Sequence, residues 1–337
     1  MKISFSHNTA VVFRLSAMGD VALLTGVLFY WYNLYHIKFI IITRKEWASL
    51  FENHPAILKI EALEKNDLTR KGFSNICKKL SQQYADFPLL DLHASMRSRI
   101  LSHYWKEHIY RYNKMPLLRR LFLLSKGKLG KNTLLKKNVC QRYASLLCSD
   151  FIEPQKLKPQ IFLSKEEKDI AQKTLLELFP KQDKKILVIH PFATHAAKTF
   201  SLQRWQQLSS ILINDYDILW VGKGNLPENM YGKSLVNKTN LRQLCAILNQ
   251  SAMLLTGDSG PMHLANGVNI PLLALFGPTT KEWGFFPVGN NVHILQKNIF
   301  CRPCSLHGKQ KCKQQESCLE RISNNEIIEN IHKILSR

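Results

Sequence analysis

At 337 residues the chain is too long for one typical core and fits two domains, and a content of 45% hydrophobic and 21% charged residues is that of a globular protein. No apolar run reaches the roughly 18 uncharged residues that a membrane-spanning helix needs, and Met1 to His7 lack the pattern of a signal peptide, so a cytoplasmic protein is expected. The charge is strongly basic, with 47 Lys and Arg against 25 Asp and Glu and a formal net charge of +22, which directs the search for partners toward anions.

Ala10 to Leu15 is an apolar run of strand length, followed by the turn Ser16-Ala-Met-Gly-Asp20 and the apolar stretch that begins at Val21. Strand, glycine-containing turn and helix at this spacing form the first unit of a doubly wound sheet, whose ligands lie beyond the carboxyl ends of its strands. Asp20 lies at the mouth of the turn, where a carboxylate serves as a helix cap or as a general base in a cleft. Val21 to Tyr32 reads as a buried helix. Further strands are expected at Lys38 to Thr43, Ala56 to Ala62, Leu89 to Leu92 and Ile109 to Tyr112, alternating with helical stretches as in a parallel sheet. The third of these passes through His93 into a helix carrying Arg97, which would turn both residues toward the same cleft as Asp20.

Between Ala94 and Ser149 stand thirteen Lys or Arg and a single acid, Glu107, so one sixth of the chain carries more than half of the excess charge. Within it, Met115 to Lys137 mixes leucines with cations, a pattern that suits an anionic bilayer surface or a core-facing helix with a solvated basic side. Nucleic acid and an acidic substrate are the other partners such a block can serve.

Two prolines in the polar stretch Phe151 to Phe162 read as a linker, and the domain boundary is expected there, with domains over 1–157 and 158–322 and a terminal helix over 323–337. The second half restarts the rhythm with a helix from Lys165, a strand from Lys185 to His190, a helix from Leu202, a strand from Asp217 to Val221 and a helix from Leu241. Lys198 is the sole cation between the first of these strands and the next helix and can meet a phosphate as a point charge. The turn Gly222-Lys-Gly-Asn-Leu-Pro-Glu228 lacks the spacing of a dinucleotide fingerprint. A strand from Ala252 to Thr256, a tight turn, a helix from Ser259 and a strand from Pro271 to Phe276 follow. Asp258, Ser259 and Gly260 stand where unpaired amides and the helix dipole favour an anion such as a pyrophosphate.

Of eight cysteines, Cys77, Cys140, Cys148 and Cys245 sit in apolar contexts that suit buried thiols, while Cys301, Cys304, Cys312 and Cys318 cluster. Their C-x2-C-x7-C-x5-C spacing permits a four-thiolate structural zinc site, with packed thiols as the alternative.

Taken together, Arg14-Leu-Ser-Ala-Met-Gly-Asp20, Asp91-Leu-His-Ala-Ser-Met-Arg97, His190-Pro with Lys198 and Trp205, Asp258-Ser-Gly-Pro-Met-His263, Leu275-Phe-Gly-Pro-Thr279 and Cys301-Arg-Pro-Cys304 resemble glycosyltransferase family 9, the lipopolysaccharide heptosyltransferases. The resemblance implies a GT-B fold: two Rossmann-like α/β domains facing across a cleft, the first for the acceptor, the second for a nucleotide sugar, with a C-terminal helix crossing back to the first. It further implies an inverting heptosyl transfer, ADP-heptose being the expected donor and a lipopolysaccharide inner-core glycolipid the acceptor. Asp20 would be the general base, while Lys198, Glu228, Asp258, Ser259, Gly260 and His263 would hold the donor and His93 and Arg97 the acceptor. No catalytic cofactor and no nucleic acid are expected, and the basic block would hold the enzyme against the inner-membrane surface. The alternatives are a relative using another nucleotide sugar or acceptor, a nucleotide-sugar binder without catalysis, and a basic nucleic-acid-binding protein.

Overall fold

The β/α alternation forms two separate all-parallel sheets in the computed structural model, which describes residues 8–305, 308, 312 and 314–336. Residues 1–7, read above for a signal peptide, lie outside the described residues. The chain divides into two compact units, one of Met1–Met115 with Val139–Phe162, the other of Pro116–Asn138 with Leu163–Arg337.

In chain order the first unit holds β1 (Thr9–Phe13), α1 (Met18–Tyr35), β2 (Lys38–Arg44), α2 (Lys45–Ala48), β3 (Ile57–Leu63), α3 (Arg70–Gln83), β4 (Leu89–Asp91), α4 (Met96–Tyr104) and β5 (Ile109–Arg111). The strand order is β3-β2-β1-β4-β5. Both faces of such a sheet are covered, which is why β1 and β2 are runs of apolar residues without alternation. One face packs Val11, Phe13, Ile40 and Ile42 against Phe73, Cys77 and Leu80 of α3 and Leu101 of α4. The apolar helix α1 buries Val21 to Leu28 and Trp31, and no helix among the described residues is long and apolar enough to cross a membrane. Gly26 of α1 lies against the backbone of the linker: a Cβ there would stand 1.9 Å from the Lys158 carbonyl oxygen.

After β5 come α5 (Pro116–Leu124) and α6 (Lys131–Leu135), and then α7 (Val139–Ala144). The basic segment 116–138 groups by its contacts with the second unit, although its place in sequence had assigned it to the first domain, and 158–162 group with the first. Its anchors explain this: Phe122 meets the Trp283 ring edge-on at 5.2 Å, and Arg119 donates to the Trp283 carbonyl at 3.1 Å.

The second unit continues with α8 (Lys165–Leu178), β6 (Lys185–His190), α9 (Leu202–Leu212), β7 (Tyr216–Trp220), β8 (Lys233–Ser234), α10 (Leu241–Asn249), β9 (Met253–Gly257), α11 (Gly260–Gly267), β10 (Leu272–Phe276), β11 (Val292–Gln296) and α12 (Asn324–Leu335), with strand order β11-β10-β9-β6-β7-β8. Glu167 closes the capping box of α8 on Ser164 and forks onto Arg242 of α10 at 2.6 Å, tying the two helices together. The terminal helix, expected to cross back to the first domain, buries Ile327, Ile331, Ile334 and Leu335 in the second unit's own core beside Leu208, Leu212 and Tyr216. Lys185 donates to the Leu335 carbonyl at 2.5 Å, and Tyr216 hydrogen-bonds His332 at 3.0 Å. A stripe at i, i+4 and i+7 must be covered by apolar neighbours, and α9 with β7 supplies them.

Candidate functional site

Each sheet has one place where its strand order reverses, and there the loops on either side diverge to leave a crevice at the carboxyl ends of the strands. In the first unit the reversal falls between β1 and β4, which pair Phe13 with Asp91. The chain leaving β1 carries Arg14 and Asp20; the chain leaving β4 carries His93.

Asp20 occupies the first turn of α1, whose N-cap Ala17 has no capping side chain. Its Oδ2 accepts from the Ala17 amide at 3.1 Å and pairs with the Arg14 guanidinium at 2.7 Å, and its Oδ1 accepts from the Tyr143 hydroxyl of α7 at 3.4 Å. The helix-cap role is therefore present, and 17% of the side chain stays exposed to solvent. Arg14 is buried, donates also to the Leu92 carbonyl, and lies 5.6 Å from the centre of the Tyr143 ring. Burial, the largest single influence, works against the Arg14 cation, but the Asp20 charge, Tyr143, Tyr112 and the hydrogen bond to Asp20 together outweigh it and hold the guanidinium above its ordinary value. His93 is half-buried with its ring edge against Phe13 at 5.8 Å. Burial, and then the charges of Arg14 and Lys114, push it down to about 3, so it stands as a neutral imidazole. Arg97 is turned to the Leu68 carbonyl at 3.2 Å. Of the two residues predicted beside Asp20, His93 belongs to its electrostatic neighbourhood, and Arg97 is engaged with the segment before α3.

In the second unit the reversal falls between β6 and β9, which pair His190 with Thr256. The loop after β6 brings Lys198 to Asp258, which follows β9, at 2.5 Å, and the hydroxyl of Thr279 donates to the same carboxylate at 2.5 Å. Ser259 is the N-cap of α11, but its hydroxyl is engaged with Thr256 at 3.0 Å and His190 at 3.3 Å, so no side chain caps the helix and Gly260 begins it. An uncapped helix start beside a lysine is a site for a phosphate oxyanion. His190, in the floor of this turn, is buried and pushed down to about 4 by that burial. His263, on the first turn of α11, is 5% exposed. Glu228 is exposed on the loop after β7 and has no ion pair among the described residues. The glycines of that loop make room for protein rather than for a ligand: a Cβ on Gly222, with φ +118°, would stand 2.6 Å from the His190 ring, and one on Gly224 2.6 Å from Phe192.

The four clustered cysteines lie within electrostatic reach of one another, as the mutual influence of Cys301, Cys304, Cys312 and Cys318 shows. Among the described residues no group of three or more His, Cys, Asp or Glu is arranged to hold a metal. Cys301 and Cys304 are half-buried, Cys312 is exposed and Cys318 is buried, and burial pushes Cys318 up to about 11, which keeps the thiol protonated.

Tyr143 was invisible to sequence reasoning, since it lies 123 residues from Asp20 on a helix with no motif. Thr279 had a signal, its place in Gly-Pro-Thr279 at the end of β10, but nothing local told that it would reach Asp258.

Comparison with known proteins gives the family and the fold. The model of glycosyltransferase family 9 (heptosyltransferase) matches residues 74–315. The lipooligosaccharide heptosyltransferase 2 of Campylobacter jejuni is 27% identical over 47% of this chain and 54% of its own, so the chain spans about half the length of that relative. The lipopolysaccharide heptosyltransferase 1 of Campylobacter coli is 24% identical over 86% of this chain and 93% of its own. Among solved structures, the ADP-heptose lps heptosyltransferase II of E. coli superposes with a TM-score of 0.72 at 18% identity over 97% and 98% of the two chains, which gives the fold: GT-B, built of two Rossmann-like α/β domains.

Proposed function

The chain belongs to glycosyltransferase family 9, the heptosyltransferase family, and from that premise we propose that it transfers a heptose from ADP-heptose to a lipopolysaccharide inner-core acceptor with inversion at the anomeric carbon. The acceptor hydroxyl gives its proton to Asp20 as its oxygen attacks. The bond from the anomeric carbon to the diphosphate breaks, and ADP leaves with growing negative charge. Lys198 and the uncapped start of α11 at Ser259 and Gly260 are the groups that stabilise that charge, aimed in advance at where it develops. Asp258 and Thr279 hold Lys198 in place, and Ser259, Gly260, His263 and Glu228 complete the donor side; His93 and Arg97 serve the acceptor. A single displacement inverts the sugar, and no step calls for a cofactor.

The observation that carries this reading is the Lys198–Asp258 pair beside an uncapped helix start at the sheet's topological reversal. A panel of nucleotide sugars tests it. ADP-heptose should support transfer and Lys198→Gln should raise its KM about tenfold, near 1.4 kcal/mol; transfer from every donor but ADP-heptose, or an unchanged KM, refutes it.

Attachment to the inner-membrane surface from the cytoplasmic side is part of the same proposal. Leu117, Leu121 and Leu124 of α5 are 80%, 45% and 75% exposed at helical spacing, next to Arg120, Lys126 and Lys128. Exposed leucines beside clustered cations suit an anionic bilayer better than water.

A further inference from the structure

The second unit holds a cavity of about 650 Å³ outside the donor turn, between the segment after α5 and the residues that follow β10 and β11. Four cations line it, Lys126, Lys131, Lys281 and Arg302, against one carboxylate, the buried Glu282. The three lysines are exposed, and none is in an ion pair among the described residues. Arg302 is fixed by its hydrogen bonds to the carbonyls of Lys297 and Thr279 and to Gln296, the last two at 2.8 Å. On the same wall Arg302 Nε and Thr280 Oγ1 are buried with no hydrogen-bond partner, a cost of about 1–3 kcal/mol each that an occupant supplying acceptor oxygens can relieve. Burial works against the Arg302 cation, which a bound anion would offset. Phe300, 80% exposed, offers a flat apolar face at the rim.

From this arrangement we infer that the cavity is a second phosphate site, separate from the one at Lys198, which takes a phosphate ester on a sugar of the acceptor. The volume suits a phosphorylated sugar, since small-ligand pockets run from about 300 to 1,000 Å³. The three lysines of the lining supply point charges to the phosphate, and the exposed Phe300 offers its face to the ring. The cavity is also wired to the donor turn: Arg302 donates to the Thr279 carbonyl, and the Thr279 hydroxyl donates to Asp258, the partner of Lys198. The assignment of the phosphate to the acceptor rests on the proposed transferase activity, whereas the existence of a phosphate site does not.

The test therefore has two parts. Titration calorimetry of the full chain, saturated with ADP, would use hexose 6-phosphate and plain hexose as probes. The phosphorylated probe should bind despite ADP, bind equally to Lys198→Gln, and bind about tenfold more weakly to the Lys126→Gln/Lys281→Gln variant; the plain hexose should not bind. Both lysines are exposed, and equal urea midpoints would show that the variant is folded. Competition by ADP, loss in Lys198→Gln, or an unchanged affinity in the lysine variant overturns the site. In the transfer assay, a KM that rises for a phosphorylated acceptor but not for its phosphatase-treated form supports the assignment, and a rise confined to the donor KM overturns it. A chain inactive in transfer leaves the calorimetric part decisive.

Discussion

Asp20 has two duties that a single substitution confounds, and a pair of variants separates them. Asp20→Asn keeps the shape of the side chain and the hydrogen bond from the Ala17 amide, but removes the charge 2.7 Å from Arg14. Arg14 is only 4% exposed, so its cation is then left with carbonyl and aromatic partners alone. Stranding a buried charge costs about 3 kcal/mol, the low end for buried pairs because Asp20 is partly solvated. Loss of a general base lowers kcat about 10²–10⁴-fold. Adding Arg14→Met removes the stranded charge and fills its space with a flexible apolar chain, so the double variant should regain most of the lost stability. It should regain none of the rate. Urea unfolding followed by circular dichroism measures the first quantity, and initial rates of ADP release at saturating substrates measure the second. Transfer by Asp20→Asn within about threefold of wild type, small beside the loss expected of a base, refutes the base; a double variant no more stable than Asp20→Asn refutes the ion-pair account.

Gly26→Ala sets a methyl 1.9 Å from the Lys158 carbonyl oxygen, so α1 or the linker must move, and unfolding free energy should drop by about 3 kcal/mol; a change below about 0.5 kcal/mol, the usual range of a surface substitution, contradicts that contact. Burial pushes both His54 and His190 from 6.5 down to about 4. The unfolded chain takes up those protons first, so stability is full above pH 6.5 and falls toward pH 4 by roughly 1.4 kcal/mol per pH unit for each histidine. His54→Gln should flatten the profile of urea midpoints over that range, and an unchanged slope counts against this cause. Leu117→Asp with Leu124→Asp should abolish sedimentation with phosphatidylglycerol vesicles while leaving the urea midpoint in place; equal binding of wild type to neutral vesicles argues against the membrane reading.

The local pattern of the chain determined a great deal by itself. Apolar runs bounded by turn residues marked β6 to the residue and β1 to β5, β7, β9 and β10 to within one or two, because period and punctuation act over a few neighbouring positions, whereas the two-residue β8 carries no such pattern and was missed. The loops bearing Asp20, His93, Lys198 and Asp258 were legible for the same reason, each lying where a strand ends and a helix begins. What the pattern does not encode is which buried strand lies beside which, since one apolar run is much like another. Only the tertiary structure seated β6 against β9, and so brought Lys198 to Asp258 across sixty residues of sequence. Only packing let Tyr143 reach Asp20, drew α5 onto Trp283 in the second unit, and closed α12 over β7 and α9. Those contacts depend on shape and charge matched between distant surfaces, which no window of neighbouring residues contains.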